Sequence, residues 1–315
     1  IANSRKMLFD LNGVPFDTAV DILMEKGKEM NLDHFLNEMK ELNLRNSIFI
    51  DNTAHEGVAN TYGGILESSI SVVTPNKIAC TGKYQEYKNL KNLALRFRSH
   101  FRFETNVGAG LPVINTLSDL VKSGDEVLGI QAVLSGSLNF IFNNYTGEGD
   151  SFADVVKEAQ EQGFTEPDPR IDLSGVDVKR KILILLRESG FEMELEDIDT
   201  IPFIPEKCMQ AENVVSFFDA IAQEEAYFKK LVEEANEEGK KLKYVATFEN
   251  GKANTGLEKV APDSPLFNLE GKDNIVLFHT KRYPEQPLVI KGAGAGAAVT
   301  ASGIFGDIIR IANEL

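Results

Sequence analysis

The chemistry of this sequence begins with a lysine four residues after an aspartate. In the run FTEPDPRIDLSGVDVKRK (164–181), Asp177 and Lys181 share one helix face. Ile182 to Leu186 follow as an unbroken apolar run, so Lys181 stands at the edge of a largely buried helix. A lysine there needs a partner or a task. Glu166, Asp168 and Asp172 lie in the loop before it. An ammonium among carboxylates suits binding of an amino-acid substrate and proton transfer at a hydroxyl carbon. The same residues also allow a structural reading. Ser174 and Asp177 fit a capping box, and Asp177 with Lys181 fits a helix ion pair worth about 0.3–0.5 kcal/mol.

Three further places carry chemical possibilities. Lys77 closes the turn TPNK at the carboxyl end of an apolar strand. Open parallel sheets bind ligands at such ends, although a solvated turn lysine fits as well. GAGAGA (292–297) satisfies G-x-G-x-x-G/A through Gly292, Gly294 and Ala297, with Gly296 inside the pattern. It lies between a strand and a helix, so its amides suit a phosphate or a nicotinamide. No βαβ unit follows it, and no acidic residue about 20 positions on, so a tight packing turn reads equally well. NVGAGLP (106–112), beside Glu104, is either a tight turn or a carbonyl-lined site for a hard cation. The four histidines lack metal-ligand spacing, and no G-x-S-x-G elbow is present.

These residues must be positioned by alternating elements. Helical patterns near 33–43, 56–68 and 83–100 each precede a short apolar run: SIFID (47–51), ISVV (70–73) and FRFETNV (101–107). That order predicts a parallel sheet with crossover helices. After about residue 115 the pattern changes. EVLGIQAVLSGSLNFIFN (126–143) reads as one long β-like segment, and Ser151 with Asp154 opens a capped helix over 151–162. Residues 191–240 read as acidic and helical, Asn250-Gly251 marks a hairpin, and PLVI precedes the final Gly-rich turn and helix. The expected organisation is α/β: a Rossmann-like nucleotide-binding domain over 1–115 and 291–315, and a mixed α+β catalytic and dimerisation domain over 116–290.

Composition narrows the classes. The 315 residues carry a formal net charge of −15, which repels phosphate backbones and argues against general nucleic-acid binding. No run reaches the roughly 18 apolar residues that a membrane span needs. Two distant cysteines, Cys80 and Cys208, make neither a disulfide framework nor a zinc site and suit a reducing cytoplasm.

Taken in order, ANSRKM, DNT, TPNK, NVGAGLP, LSGSLNFIFN, EPDPRIDLSGVDVKRK and PLVIKGAGAGAAVTASG resemble homoserine dehydrogenase. More closely, they resemble the carboxyl-terminal module of bifunctional aspartokinase–homoserine dehydrogenases. The resemblance covers nearly the whole chain. It implies reversible NAD(P)H-dependent reduction of L-aspartate 4-semialdehyde to L-homoserine, in threonine and methionine biosynthesis. It makes Lys77 and Lys181 the candidate proton-transfer residues. Glu166, Asp172 and Asp177 then hold the substrate ammonium and orient Lys181, while Gly136 and Ser137 line the pocket. Asn52, Thr53, Lys77 and the Gly292–Gly296 loop become cofactor contacts. Glu104, with the carbonyls of Val107, Ala109 and Leu111, matches a monovalent-cation site for Na+ or K+. A homodimer or higher homo-oligomer and a fused aspartokinase module are the implied partners.

The family opens with a strand and a G-x-G-x-x-G loop, and this chain starts after them. Ile1–Ser4 reads as the end of the second Rossmann strand. Asn3, Ser4 and Arg5 stand where a ribose-binding acid would favour NAD, so they suit NADP. The rivals are another NAD(P)-dependent oxidoreductase of small amino acids or aldehydes, and a dimerising fragment that binds no cofactor.

Overall fold

The computed structural model describes residues 1–314. The amino-terminal segment forms an antiparallel ribbon of β1 (Lys6–Met7) and β2 (Lys28–Glu29), with a bridge between Ala2 and Met7. This corrects the expectation for Ile1–Ser4. They fold back on Met7 rather than entering a parallel sheet, because Asn3 Oδ1 accepts the N–H groups of Arg5 and Lys6, both at 2.8 Å, and makes a turn. An aromatic chain from Phe9 through Phe35 to Phe49 joins the ribbon to the next layer.

Three short strands, β3 (Ile48–Ile50), β4 (Ser71–Val73) and β5 (Phe101–Arg102), pair in that order and in parallel. Crossover helices connect them, as the alternation predicts. Two details differ. The helix expected at 56–68 breaks into Glu56–Ala59 and Tyr62–Leu66. The strand expected at 101–107 stops after Arg102, because Glu104–Asn106 turns into a 3₁₀ helix.

The second sheet has six strands: β6 (Val127–Val133), β7 (Ile198–Thr200), β8 (Lys241–Glu249), β9 (Lys252–Val260), β10 (Asp273–Thr280) and β11 (Leu288–Ala293). Their spatial order is β11-β10-β6-β8-β9-β7, antiparallel except for β7 beside β9. The β8–β9 turn uses Asn250 and Gly251, both at positive φ, as the Asn-Gly signal requires. The long β-like segment at 126–143 is overturned. The strand ends at Val133, and Ser135 caps a helix over Gly136–Asn144 by accepting the Leu138 N–H at 3.2 Å. Residues 191–240 are also not all helix, since β7 interrupts them. Because β11 belongs to this sheet, residues 291–293 sit with the larger layer rather than with the nucleotide-binding one.

The apolar faces of both layers merge in one core. Helix Val176–Glu188 buries Ile182 to Leu186 there. The last helix, Ala297–Asn313, returns to the first layer, where Asp307 accepts the Glu104 N–H at 3.0 Å. Among the described residues no helix is long and apolar enough to cross a membrane.

Candidate active site

The carboxyl ends of β3 and β4 make a rigid polar floor. Asp51 is buried and accepts hydrogen bonds from Tyr62 Oη, from Asn76 Nδ2 at 3.1 Å and from the Thr53 N–H at 2.8 Å. Thr74 Oγ1 donates to the Asp51 carbonyl at 2.8 Å and accepts the Asn76 N–H at 2.9 Å. These bonds fix the TPNK turn, leave Asn52 and Thr53 exposed, and set Lys77 at the start of the short helix Ile78–Thr81.

The other side comes from helix Val176–Glu188. Its first turn begins at Gly175, at φ +72°, where a Cβ would collide with the Tyr244 hydroxyl. Only glycine fits there. The capping box between Ser174 and Asp177 does not form, because the Ser174 hydroxyl donates to the Ile171 carbonyl at 2.6 Å. Asp177 is therefore free to face Lys77. One of its oxygens lies 3.3 Å from Lys77 Nζ and the other 2.8 Å from Lys181 Nζ. Lys181 Nζ also donates to the Leu134 carbonyl at 2.7 Å. The two lysines, 104 positions apart in sequence, thus share one carboxylate.

Electrostatics follow from this arrangement. Burial pushes the Lys77 ammonium towards losing its proton, and Asp177 opposes that shift. The protein mass around Asp177 disfavours its ionisation. The ammonium groups of Lys181 and Lys77 nevertheless hold the carboxyl well below the usual carboxylate range. Its outer surface is half open to solvent, which weakens both ion pairs by screening.

Asp172 stands near this group. It accepts the Ser137 hydroxyl at 2.9 Å and the Glu166 N–H at 2.8 Å, and burial raises its pKa. Gly136 opens the same helix as Ser137. Glu166 is exposed, with its backbone anchored and its carboxylate in no ion pair among the described residues. Asp168, by contrast, pairs with Arg170 at 2.6 Å.

Of the remaining candidates, Asn3, Ser4 and Arg5 lie exposed in the ribbon turn. Gly292 is the penultimate residue of β11, and Gly296 precedes helix Ala297–Asn313, whose first amides carry no side-chain cap. Gly294 presses on Asn274, where an added Cβ would come within 2.1 Å of the Asn274 side chain. Glu104 is buried, and both its oxygens accept backbone N–H groups, from Ile114 at 2.7 Å and Asn115 at 2.8 Å. Burial still pushes this carboxyl up to about 7. Val107 and Ala109 are buried in the adjoining loop, and Leu111 is half-buried.

Family models decide the kinship. A model described as homoserine dehydrogenase matches residues 112–309, and one described as homoserine dehydrogenase, NAD binding domain, matches residues 17–104. The chain belongs to the homoserine dehydrogenase family. Family membership makes it kin to NAD(P)-linked oxidoreductases built on this α/β frame. It is 41% identical over 278 residues to a homoserine dehydrogenase of Schizosaccharomyces pombe, covering 85% of this chain and 73% of that protein. It is 40% identical over 318 residues to an Arabidopsis thaliana bifunctional aspartokinase/homoserine dehydrogenase 2, chloroplastic, covering 100% of this chain and 35% of that protein. The chain therefore spans about a third of the length of this bifunctional relative. A hyperthermophilic archaeal homoserine dehydrogenase in complex with NADPH superposes with a TM-score of 0.68 at 26% identity, over 92% of this chain and 78% of that one.

Sequence reasoning missed two residues that organise the site. Asp51 is the hub of the polar floor; the strand-end rule reached it together with Asn52 and Thr53 but gave it no role. Asn274 is buried on β10 and donates to the same Leu134 carbonyl that receives Lys181, at 3.2 Å. The sequence gives no local signal for Asn274, because its partners are Leu134 and Gly294.

Proposed function

We propose that this chain catalyses the reversible NAD(P)H-dependent reduction of L-aspartate 4-semialdehyde to L-homoserine. The observation that carries this reading is the Asp177 carboxylate held between two lysine ammonium groups at the edge of a polar pocket. Lys181 binds the substrate next to its reacting oxygen. Lys77 donates the final proton, and its lowered affinity for that proton suits the task. Asp177 keeps both lysines aimed at one point. Asp172 and Glu166 hold the substrate ammonium, and Gly136 and Ser137 form the wall behind it. An ammonium beside the developing alkoxide stabilises its charge in a partly desolvated site.

A bound nicotinamide cofactor supplies the hydride. The residues present fit it: the uncapped start of helix Ala297–Asn313 suits a phosphate, and at Gly296 an added Cβ would meet open space. Gly292, Gly294 and Gly296 would hold it with Asn52, Thr53 and Lys77. Asn3, Ser4 and the exposed Arg5 would take a 2′-phosphate, which favours NADP. Glu104, with the carbonyls of Val107, Ala109 and Leu111, would hold Na+ or K+; a carboxylate and carbonyl donor set suits a hard cation. The nucleotide-binding part would comprise residues up to about 115 and the last helix, with the six-stranded layer as the catalytic part. Exposed Leu128, Ile201 and Val289 on that layer support a homodimer. A fused aspartokinase module and a cytoplasmic setting complete the reading.

The decisive test is Lys181→Ala with NADP+ and homoserine. Nearly all turnover should vanish while the melting temperature stays close to that of the parent. Parent-like turnover would remove Lys181 from the mechanism. Substrate profiling addresses the rival reading, since homoserine must be preferred over malate or other hydroxy acids.

A further inference from the structure

Helix Val176–Glu188 carries Asp177 and Lys181 near its start and Arg187 near its end. The Arg187 side chain is 0% exposed. Its guanidinium donates to the Cys80 carbonyl at 2.8 Å, to the Met193 carbonyl at 3.0 Å and to the Glu194 carboxylate at 2.9 Å. It also lies over the rings of Tyr84 and Tyr87, at 5.7 and 5.5 Å. A buried guanidinium with its fork engaged in several directions has no freedom to turn.

The Cys80 contact matters most for the site. Cys80 lies in the short helix that Lys77 begins, and the N–H groups of Cys80 and Thr81 both donate to the Lys77 carbonyl at 3.0 Å. One peptide unit therefore connects the Arg187 bond to the Lys77 backbone. Glu194, the acidic partner of Arg187, also receives the Tyr84 N–H on both oxygens, at 2.9 and 3.0 Å. The next helix of the first layer is thereby tied to the same point. The contact between Lys77 and Asp177 cannot hold the two layers in register alone, because Asp177 is half-exposed and ion pairs in contact with water are weak.

We propose that Arg187 is a positioning residue: it pins the Lys77 turn to the helix that carries Asp177 and Lys181, and so fixes the approach of Lys77 to Asp177. The proposal rests on the catalytic reading of Lys77 given above.

Two measurements on Arg187→Ala, Arg187→Lys and Glu194→Gln test it. The first is competitive acetylation across a pH series, read at Lys77 by mass spectrometry; it needs neither cofactor nor turnover. If the pin is lost, Lys77 swings towards solvent. Its labelling midpoint should then rise towards that of an ordinary lysine, because burial is the main influence depressing it. The second is a double-mutant cycle with Lys77→Met. Arg187→Ala should lower kcat on the order of 10–100-fold, with little change in KM, and should cost little more once Lys77 is gone. Arg187→Lys should recover only part of the loss, since an ammonium cannot span the same acceptors.

An unchanged Lys77 midpoint with a lower melting temperature would make Arg187 merely structural and overturn the proposal. Losses that multiply in the cycle would overturn it too. If Arg187→Ala does not fold, Glu194→Gln keeps the volume and should shift Lys77 in the same direction by a smaller amount. If Lys77→Met turns over normally, the catalytic reading of Lys77 fails, and the labelling midpoint alone then decides whether the pin exists.

Discussion

Lys181 and Lys243 are both poorly exposed lysines, yet their surroundings differ in kind. Lys181 faces the Asp177 carboxylate and one backbone carbonyl. Lys243, on β8, is 1% exposed and meets neutral acceptors: Asn139 Oδ1 at 3.1 Å, Asn143 Oδ1 at 2.5 Å and the Leu269 carbonyl at 2.6 Å. Asn139 in turn donates to the Gly271 and Asp273 carbonyls at 3.1 and 3.2 Å. Lys243 thus fastens helix Gly136–Asn144 to the segment before β10. Burial, with Lys241 nearby, pushes its pKa down to about 8. Burial of a lysine is therefore no mark of catalysis by itself. What sets Lys181 apart is a carboxylate that it shares with Lys77.

The comparison breaks most visibly at Asp177. Asp177→Asn should lower kcat for homoserine oxidation by about 10²–10⁴-fold, the usual contribution of positioned acid–base groups. A loss under threefold in steady-state assays would reduce Asp177 to a surface ion pair.

Lys243 should act on stability. Its folded pKa of about 8 lies below the ordinary 10.5, so between those values the unfolded chain binds more protons. Stability from this group should therefore rise with pH across that window, by at most about 3 kcal/mol, with the full penalty present below it. Lys243→Met should flatten this rise in thermal melts taken from about pH 8 to about pH 10. An identical slope in the variant would show that Lys243 is not the titrating group.

Gly294→Ala should cost about 1–3 kcal/mol through overpacking against Asn274. Combined with Asn274→Ala, it should cost less than the two separate losses together, as denaturant titration can measure. Strict additivity would mean that the loop, rather than Asn274, absorbs the new methyl group. The smallest effect belongs to Lys88→Ala at the exposed pair with Glu192, where almost no change is expected in the same titration because water screens the pair. A larger loss would mean that the rim, and not Arg187, carries the contact between the layers.

Much of the site was legible because its signals are local. Asp177 and Lys181 share a face by helical periodicity, and Lys77, Asn52 and Thr53 lie where parallel strands end. The misreadings also have local causes. Apolar residues dominate 126–143 on both sides of Ser135, so the capping role of Ser135 is what separates strand from helix. Ser174 had the spacing of a capping residue, but its hydroxyl turns back to Ile171 and releases Asp177. Asn274 and Arg187 were not legible, since each is defined by partners far along the chain: Leu134 and Gly294 for one, Cys80 for the other.

By itself, the sequence determined the alternation of helices and strands, the face shared by Asp177 and Lys181, and the Gly-rich turn before the last helix. Those features depend on periodicity and on backbone freedom, which neighbouring residues set. The tertiary structure alone decided that Lys77 meets Asp177, that Lys181 shares that carboxylate while Lys243 is enclosed by neutral oxygens, and that Arg187 reaches Cys80. Such pairings depend on how two layers pack across their shared core, and no local spacing encodes that distance.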